Sequence, residues 1–425
     1  MIVAMLLAIL SVLLLVPIRP QNRLINLIIL SGIALYHFSA PILFFNNIFE
    51  NLWRDYSVTQ AWQVVYITSV ALAAWGCGAL AATPIKAAGH NGSARFRLSA
   101  RILATSVLPL CLVGLLLAII SGASDKQDLQ VQGPSVSQIS VYWLIFFALL
   151  IVDEGIQQKK RQAVTLIIFG VGVLFLAYLL FLGQRGPLMR FVLSLFVLSF
   201  ISGIRFKPTT LAILGIVLLS APTYLQFVKG LLLFDEVDVG SMFGLLDLIG
   251  IDNTVKNIVL LQFFGTEFRT GGQNLFIAIA NFPSNYEYLG VTQLSSNLSR
   301  AMLPGFLFDP FFQTSLIWFN AEFYPDLVAR GGGAGMSLVA EGYMAGGIPG
   351  VLGYFFCFGL LFNAILNLSS FSRLGRVTVS MLVPIVIFAM RADTTNLFSQ
   401  SFKFVVVPVL ITLCLHEIFR VRKNS

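Results

Sequence analysis

Apolar residues in this chain come in long unbroken runs, not in the alternation that marks a half-solvated strand or surface helix. A membrane helix needs about 20 such residues. Runs near that length lie at 2–18, 24–46, 61–83, 100–121, 138–153, 163–182, 187–204, 209–228, 337–366, 376–391 and 402–419. They predict an all-α polytopic bundle of about eleven spans, the 138–153 run being short for the purpose. One stretch breaks the pattern, from Lys229 to Met336. Within it Ser241–Ile251, Val255–Phe264 and Asn274–Ala280 are apolar and compatible with helix, and Phe306–Phe312 and Trp318–Tyr324 are rich in aromatics. Their periodicity predicts short amphipathic helices at the outer interface, forming a lid over the bundle. The chain thus divides into 1–228 with eight spans, the loop 229–336, and 337–425 with three spans. The first run lacks a basic leader and a small-residue cleavage site, so it is expected to stay as a helix.

Composition agrees. Mean hydropathy is +0.87 and only 11% of residues are charged, against about 25% in a soluble domain. Charge then orients the spans. One set of alternate loops holds Arg19 and Arg23; Lys86, Arg95, Arg97 and Arg101; Lys159, Lys160 and Arg161; Arg205 and Lys207; Arg373 and Arg376; Arg420, Arg422 and Lys423. Those 16 basic residues face only Asp153, Glu154 and Glu417 on that side. The positive-inside rule makes this side cytoplasmic, with the N-terminus and residues 229–336 outside. The net charge of +8 is therefore topological and spread over short loops, which argues against a nucleic-acid partner. Cys77, Cys111, Cys357 and Cys414 all fall in spans, and His37, His90 and His416 form no ligand spacing, so neither a disulfide framework nor a metal site is expected. There is no internal repeat and little mid-span charge, unlike most secondary transporters.

Candidate chemistry sits at the outer face, where arginines collect. Gly183-Gln184-Arg185-Gly186-Pro187-Leu188-Met189-Arg190 joins spans six and seven. Pro187 suits the first turn of a helix. The N–H groups of that turn, with Gln184, Arg185 and Arg190, make an anion site fit for a diphosphate. The plain alternative is a pair of snorkelling interfacial arginines. Arg330 precedes a glycine run read as a hinge, and Glu341 follows near the outer end of the next span. Glu341 is either a general base or a partner that holds an arginine. Arg391 opens the last outer loop and either faces substrate or pairs with Asp393 at the surface. Arg269 and Arg300 are further substrate-binding candidates, and Glu267, Asp309, Glu322 and Asp326 further acids. Phe311, Phe312, Trp318, Phe319, Phe323 and Tyr324 stack on sugars or rest in the lipid interface.

Three features together resemble the Wzy-type polymerases of bacterial surface polysaccharides: Gly-Gln-Arg-Gly at 183–186, the long outer loop, and Glu341-Gly-Tyr-Met-Ala-Gly-Gly-Ile-Pro-Gly opening the next span. The resemblance is one of architecture over nearly the whole chain. It implies a glycosyltransferase-C-like, metal-independent enzyme of the inner membrane that needs no cofactor. It would join undecaprenyl-diphosphate-linked oligosaccharides at the periplasmic face, within membrane lipid, and a Wzz-type chain-length regulator is a candidate partner. Outer-loop arginines bind lipid-linked glycan in that family, a role carried here to Arg185, then to Arg190 and Arg330. The related O-antigen ligases use a histidine in the long loop, and residues 229–336 contain none. A ligase and a lipid-linked oligosaccharide flippase or exporter are the alternatives. A flippase is expected to carry charge along the membrane depth, whereas charge here clusters at one face.

Overall fold

The computed structural model describes residues 2–48, 56–84, 107, 109–114, 136–182, 186–204, 207, 209, 268–302, 313–329, 333–369 and 372–424. Among the described residues every regular element is a helix. In order these are α1 (Ile2–Leu13), α2 (Pro20–Phe45), α3 (Val58–Ala81), α4 (Val136–Gln157), α5 (Arg161–Leu182), α6 (Gly186–Ile201) and α7 (Arg269–Asn281). Then come α8 (Gly290–Met302), α9 (Ser315–Phe323), α10 (Pro325–Ala329), α11 (Leu338–Ser369), α12 (Arg373–Ala389), α13 (Thr394–Ser401) and α14 (Val407–Asn424). A π-helical segment, Phe402–Val406, joins the last two.

Six of the described segments are long and apolar enough to cross a membrane: Pro20–Phe45, Val58–Ala81, Ile139–Gln157, Arg161–Tyr178, Leu338–Asn367 and Thr394–Ile418. Ile2–Leu13 and Gly186–Ile201 are apolar but shorter. The expected span 209–228 lies outside the described residues apart from 209, and most of 100–121 does too. Large apolar side chains point outward in helical register, as with Leu166, Phe169, Val173 and Leu176 on α5, and Ile348, Leu352 and Phe356 on α11. Stripes of this kind belong against lipid. The chain is a helical membrane protein.

The helices group into two compact units that interleave along the sequence. The first takes Met1–Ala82, Phe206–Asn363 and Ile387–Asn396, and the second takes Thr83–Arg205, Ala364–Val386 and Leu397–Ser425. In the first unit α1 and α2 pack on α3. Pro20 starts α2 at a position where its missing N–H costs nothing. Ser57 and Gln60 cap α3 reciprocally: the Gln60 amide donates to Ser57 Oγ at 3.2 Å, and the Ser57 amide donates to Gln60 Oε1 at 2.8 Å. Where α3 crosses α11, a Cβ on Gly78 would lie 2.2 Å from the Phe356 carbonyl, and one on Gly359 2.4 Å from that of Trp75. Small residues allow such close membrane packing. Asn26 and Asn363 exchange amide hydrogen bonds of 2.7 and 3.0 Å, and the Trp75 indole donates to Asn26 Oδ1 at 2.8 Å.

Two features depart from the hydropathy reading. Residues 274–280 were expected to form part of an interfacial lid, yet α7 packs against both α2 and α3, with Leu275, Phe276, Ile277 and Ala278 buried. Its first turn carries Gly271 and Gly272, and a Cβ on Gly272 would come 2.5 Å from the His37 carbonyl. The missing side chain lets the helix rest on the backbone of α2.

The expected span 337–366 is not one rod. Gly347 has φ 64° and ψ −145°, a conformation open to glycine, and the helix breaks there. Gly342 lies beside Tyr354, a Cβ on it falling 3.5 Å from Tyr354 Cβ. A continuous helix would hold these residues about 18 Å apart. A short arm (338–345) therefore folds back on a long arm (348–369), which at about 33 Å is by itself long enough to cross a bilayer.

In the second unit α4 packs on α5, α6 and the π segment. Its C-terminal end carries buried Asp153. Asp153 accepts from Arg376 Nε (3.0 Å) and Nη2 (2.6 Å), and from Ser202 Oγ (2.9 Å). Glu154 pairs with Arg373 at 2.8 Å. These ion pairs put the end of α4 and the start of α12 at one level.

Candidate functional site

In the first unit, buried polar side chains gather where α8, α9, the short arm of α11 and the turn before α13 meet. The short arm is set in place from α2. The His37 Nδ1–H donates to the Ile33 carbonyl at 2.7 Å, so Nε2 accepts from the Ser337 hydroxyl at 2.6 Å. Ser337 Oγ also accepts the Ala340 N–H at 3.1 Å and caps the arm. Mid-span His37 is thus a structural anchor.

Glu341 follows one turn later and is only 2% exposed. Its Oε1 accepts from Asn297 Nδ2 at 2.6 Å, and its Oε2 accepts both the Thr394 N–H and the Thr394 hydroxyl at 2.7 Å. Asn297 in turn donates to Ser315 Oγ at 2.6 Å, and the Ser315 N–H returns to Asn297 Oδ1 at 3.3 Å. Asp393 is fully buried. It caps α13 by accepting the Asn396 N–H (2.9 Å) and Nδ2 (2.7 Å), and its other oxygen accepts the Leu316 N–H at 3.3 Å. Two carboxylates thereby tie α8, α9, α11 and α13 together. Burying them is tolerable because neutral donors replace their water.

Arg391 lies two residues before Asp393. Its carbonyl accepts the Met336 N–H at 3.0 Å, and Gly335, at φ 75°, packs against the same carbonyl. Asn320 donates to the Gly335 carbonyl (3.1 Å) and accepts the Ala334 N–H (2.7 Å). Residues 333–335, expected to act as a hinge, are thus pinned to α9.

Comparison of the chain with family models, curated proteins and solved structures gave no match.

Arg269 opens α7. Burial holds its guanidinium below the usual arginine value, and nearby Tyr324 opposes that shift. Tyr324 donates to Asn274 Oδ1 at 2.8 Å. The first turn of α7 adjoins the Arg391 turn, since a Cβ on Gly271 would lie 3.2 Å from the Met390 carbonyl. Arg300 stands in the last turn of α8, one turn beyond Asn297. The helix bearing Arg300 and the turn bearing Arg391 therefore meet at the Glu341 cluster, and the helix that Arg269 opens adjoins that turn. Arg190 belongs to the second unit, where it donates to Gln400. Gln184, Arg185, Arg330, Glu267, Asp309, Phe311 and Phe312 lie outside the described residues. Glu322 is exposed and accepts from the Tyr286 hydroxyl, and Asp326 is exposed on α10. Among the described residues no group of three or more His, Cys, Asp or Glu is placed to hold a metal.

Sequence reasoning passed over Asn297, Ser315, Thr394 and Gln400, and weighed Asp393 only as a surface partner for Arg391. One signal was there to find: Asp393-Thr394-Thr395-Asn396 reads as a helix N-cap.

Proposed function

We propose that this protein is a polysaccharide polymerase of the Wzy type. In this reading a glycosyltransferase-C-like bundle of about eleven spans sits in the bacterial inner membrane. It joins undecaprenyl-diphosphate-linked repeat units at the periplasmic face. The hydroxyl of one unit attacks the anomeric carbon of the other, the bond to the diphosphate oxygen breaks, undecaprenyl diphosphate leaves with the electron pair, and the hydroxyl proton passes to the departing diphosphate. The leaving group gains negative charge as that bond breaks, and fixed arginines stabilise it.

The observation that carries the reading is the buried Glu341 cluster. It holds the Arg391 turn and the Arg300 helix together, next to the helix that Arg269 opens. Arginine-bearing elements that meet beside one polar cluster suit an anionic substrate. In this reading Glu341 anchors the Arg391 turn and does not serve as the base. Three donors already occupy its carboxylate, and a base needs access to the substrate hydroxyl.

The test is polymerisation by purified protein of a defined lipid-linked repeat unit, with products separated by size. Wild-type protein should give a ladder, and Arg391→Ala and Arg185→Ala should leave single units. Transfer of a single unit to lipid A core without a ladder would make the protein a ligase. A full ladder from both arginine variants would reject the arginine assignment.

A further inference from the structure

The aromatic residues around α9 divide into two sets. Phe319 is fully buried, and Tyr324 turns inward, donating its hydroxyl to Asn274. Trp318 and Phe323 remain half-buried, and Tyr286, from the loop after α7, joins them. These three rings meet edge to face. Tyr286 and Trp318 lie 5.6 Å apart at 87°, Tyr286 and Phe323 5.9 Å apart at 80°, and Trp318 and Phe323 5.9 Å apart at 88°. Buried Phe282 backs the group, stacked on Tyr286 at 5.5 Å and edge-on to Trp318 at 6.3 Å. Rings held this way are rigid, and their exposed parts offer flat apolar surface at little cost in lost freedom.

A carboxylate stands at the rim of the group. The Tyr286 hydroxyl donates to Glu322, the residue before Phe323. Glu322 is exposed, and a carboxylate has about four acceptor sites, so room is left for further donors. Glu287, on the Tyr286 loop, and Asp326, on α10, are exposed as well. Three carboxylates around a ring cluster mark a surface that faces water, because a charge set against lipid is costly.

This pairing of groups selects a ligand class. One face of a pyranose ring presents C–H groups, and its rim presents hydroxyl donors. Flat rings with an acceptor at their edge match both features. A phosphate is repelled by the carboxylates, and a hydrocarbon chain gains nothing from them. The position fits too. At its start α9 is tied to the Glu341 cluster, through the Ser315 N–H to Asn297 and the Leu316 N–H to Asp393. The nine-residue helix is about 14 Å long, so the rings stand one to two turns from that cluster.

We propose that Tyr286, Trp318, Phe323 and Glu322 form a sugar-binding subsite that takes the glycan of the lipid-linked substrate. The identity of that glycan rests on the polymerase reading above; the choice of a sugar as ligand rests on the rings and the carboxylate.

The test is equilibrium dialysis on the full-length protein in detergent with two radiolabelled probes: the repeat-unit oligosaccharide freed of its lipid, and undecaprenyl diphosphate without sugar. Trp318→Ala should weaken the oligosaccharide about tenfold, the scale of one aromatic contact, and leave undecaprenyl diphosphate bound as before. Trp318→Phe should keep most of the affinity. Glu322→Gln should weaken the oligosaccharide about fivefold at an unchanged melting temperature, since charge-assisted bonds become neutral ones. In the polymerisation assay Trp318→Ala and Glu322→Gln should raise KM for the lipid-linked unit and spare kcat. An oligosaccharide that does not bind wild type, or binds both variants as it binds wild type, would overturn the inference and leave the polymerase reading to its own ladder test. A loss confined to undecaprenyl diphosphate would make the rings a lipid contact and overturn it too. Oligosaccharide binding that depends on Trp318, in a protein that makes no polymer, would sink the polymerase reading and keep the subsite.

Discussion

Replacing Glu341 by glutamine separates the anchor from the base. The structure gives the carboxylate three donors, one from Asn297 and two from Thr394. A glutamine keeps one acceptor oxygen. Turned toward Thr394, it preserves two bonds and sets its NH2 against the Asn297 NH2. Asn297 cannot rotate freely to help, because its oxygen accepts from the Ser315 N–H and its nitrogen donates to Ser315 Oγ. One charge-assisted bond is lost, at a cost of about 2 kcal/mol. Glu341→Ala strands all three donors, and at about 1–3 kcal/mol each the loss reaches roughly 4 kcal/mol or more. Melting of detergent-purified protein should rank wild type above Gln above Ala. The Arg391 turn should loosen with it, so KM for the lipid-linked unit should rise several-fold in Glu341→Gln while kcat falls less than about tenfold. Asn297→Ala should couple with Glu341→Gln by about 1–2 kcal/mol in a double-mutant cycle, as groups in direct contact do. A kcat loss of about 10²-fold at unchanged KM and unchanged melting temperature is the signature of a general base, and would refute the anchor.

Other perturbations give separate checks. Asp153→Ala should destabilise the protein by about 3 kcal/mol in chemical or thermal melting, because it leaves the part-buried Arg376 without its carboxylate. Gly272→Ala should cost about 1–3 kcal/mol, since its methyl would meet the His37 carbonyl. Gly353→Ala, which faces open space on α11, should be neutral or stabilising by up to about 1 kcal/mol in the same assay. In a cysteine-free background, an impermeant thiol reagent added from outside should label a cysteine at Ser296 and not one at Ser372; the opposite pattern would invert the proposed topology.

The sequence alone determined the class of this protein. Unbroken apolar runs need no partner to be read, because the bilayer sets a minimum length and every backbone group must be satisfied within its own helix. Each described run is helical accordingly, and Ser57-x-x-Gln60 and Pro20 marked helix starts by local chemistry. The candidate arginines could be named as well, since charge among apolar runs stands out whatever the fold. The tertiary structure decided what these residues do. Hydropathy cannot tell a straight span from a hairpin, and only the left-handed turn at Gly347 folds the short arm back beside Tyr354. It cannot place α7, whose modest apolar face suits an interface as well as the bundle interior until two glycines meet the α2 backbone. Nor can it say whether Glu341 is spare or engaged. Its donors come from residues 44 and 53 positions away, and an asparagine or threonine carries no sequence signal of the carboxylate it will face. Long-range hydrogen bonds in a dry interior are settled by which elements pack together, and in this chain those elements come from separated stretches of sequence.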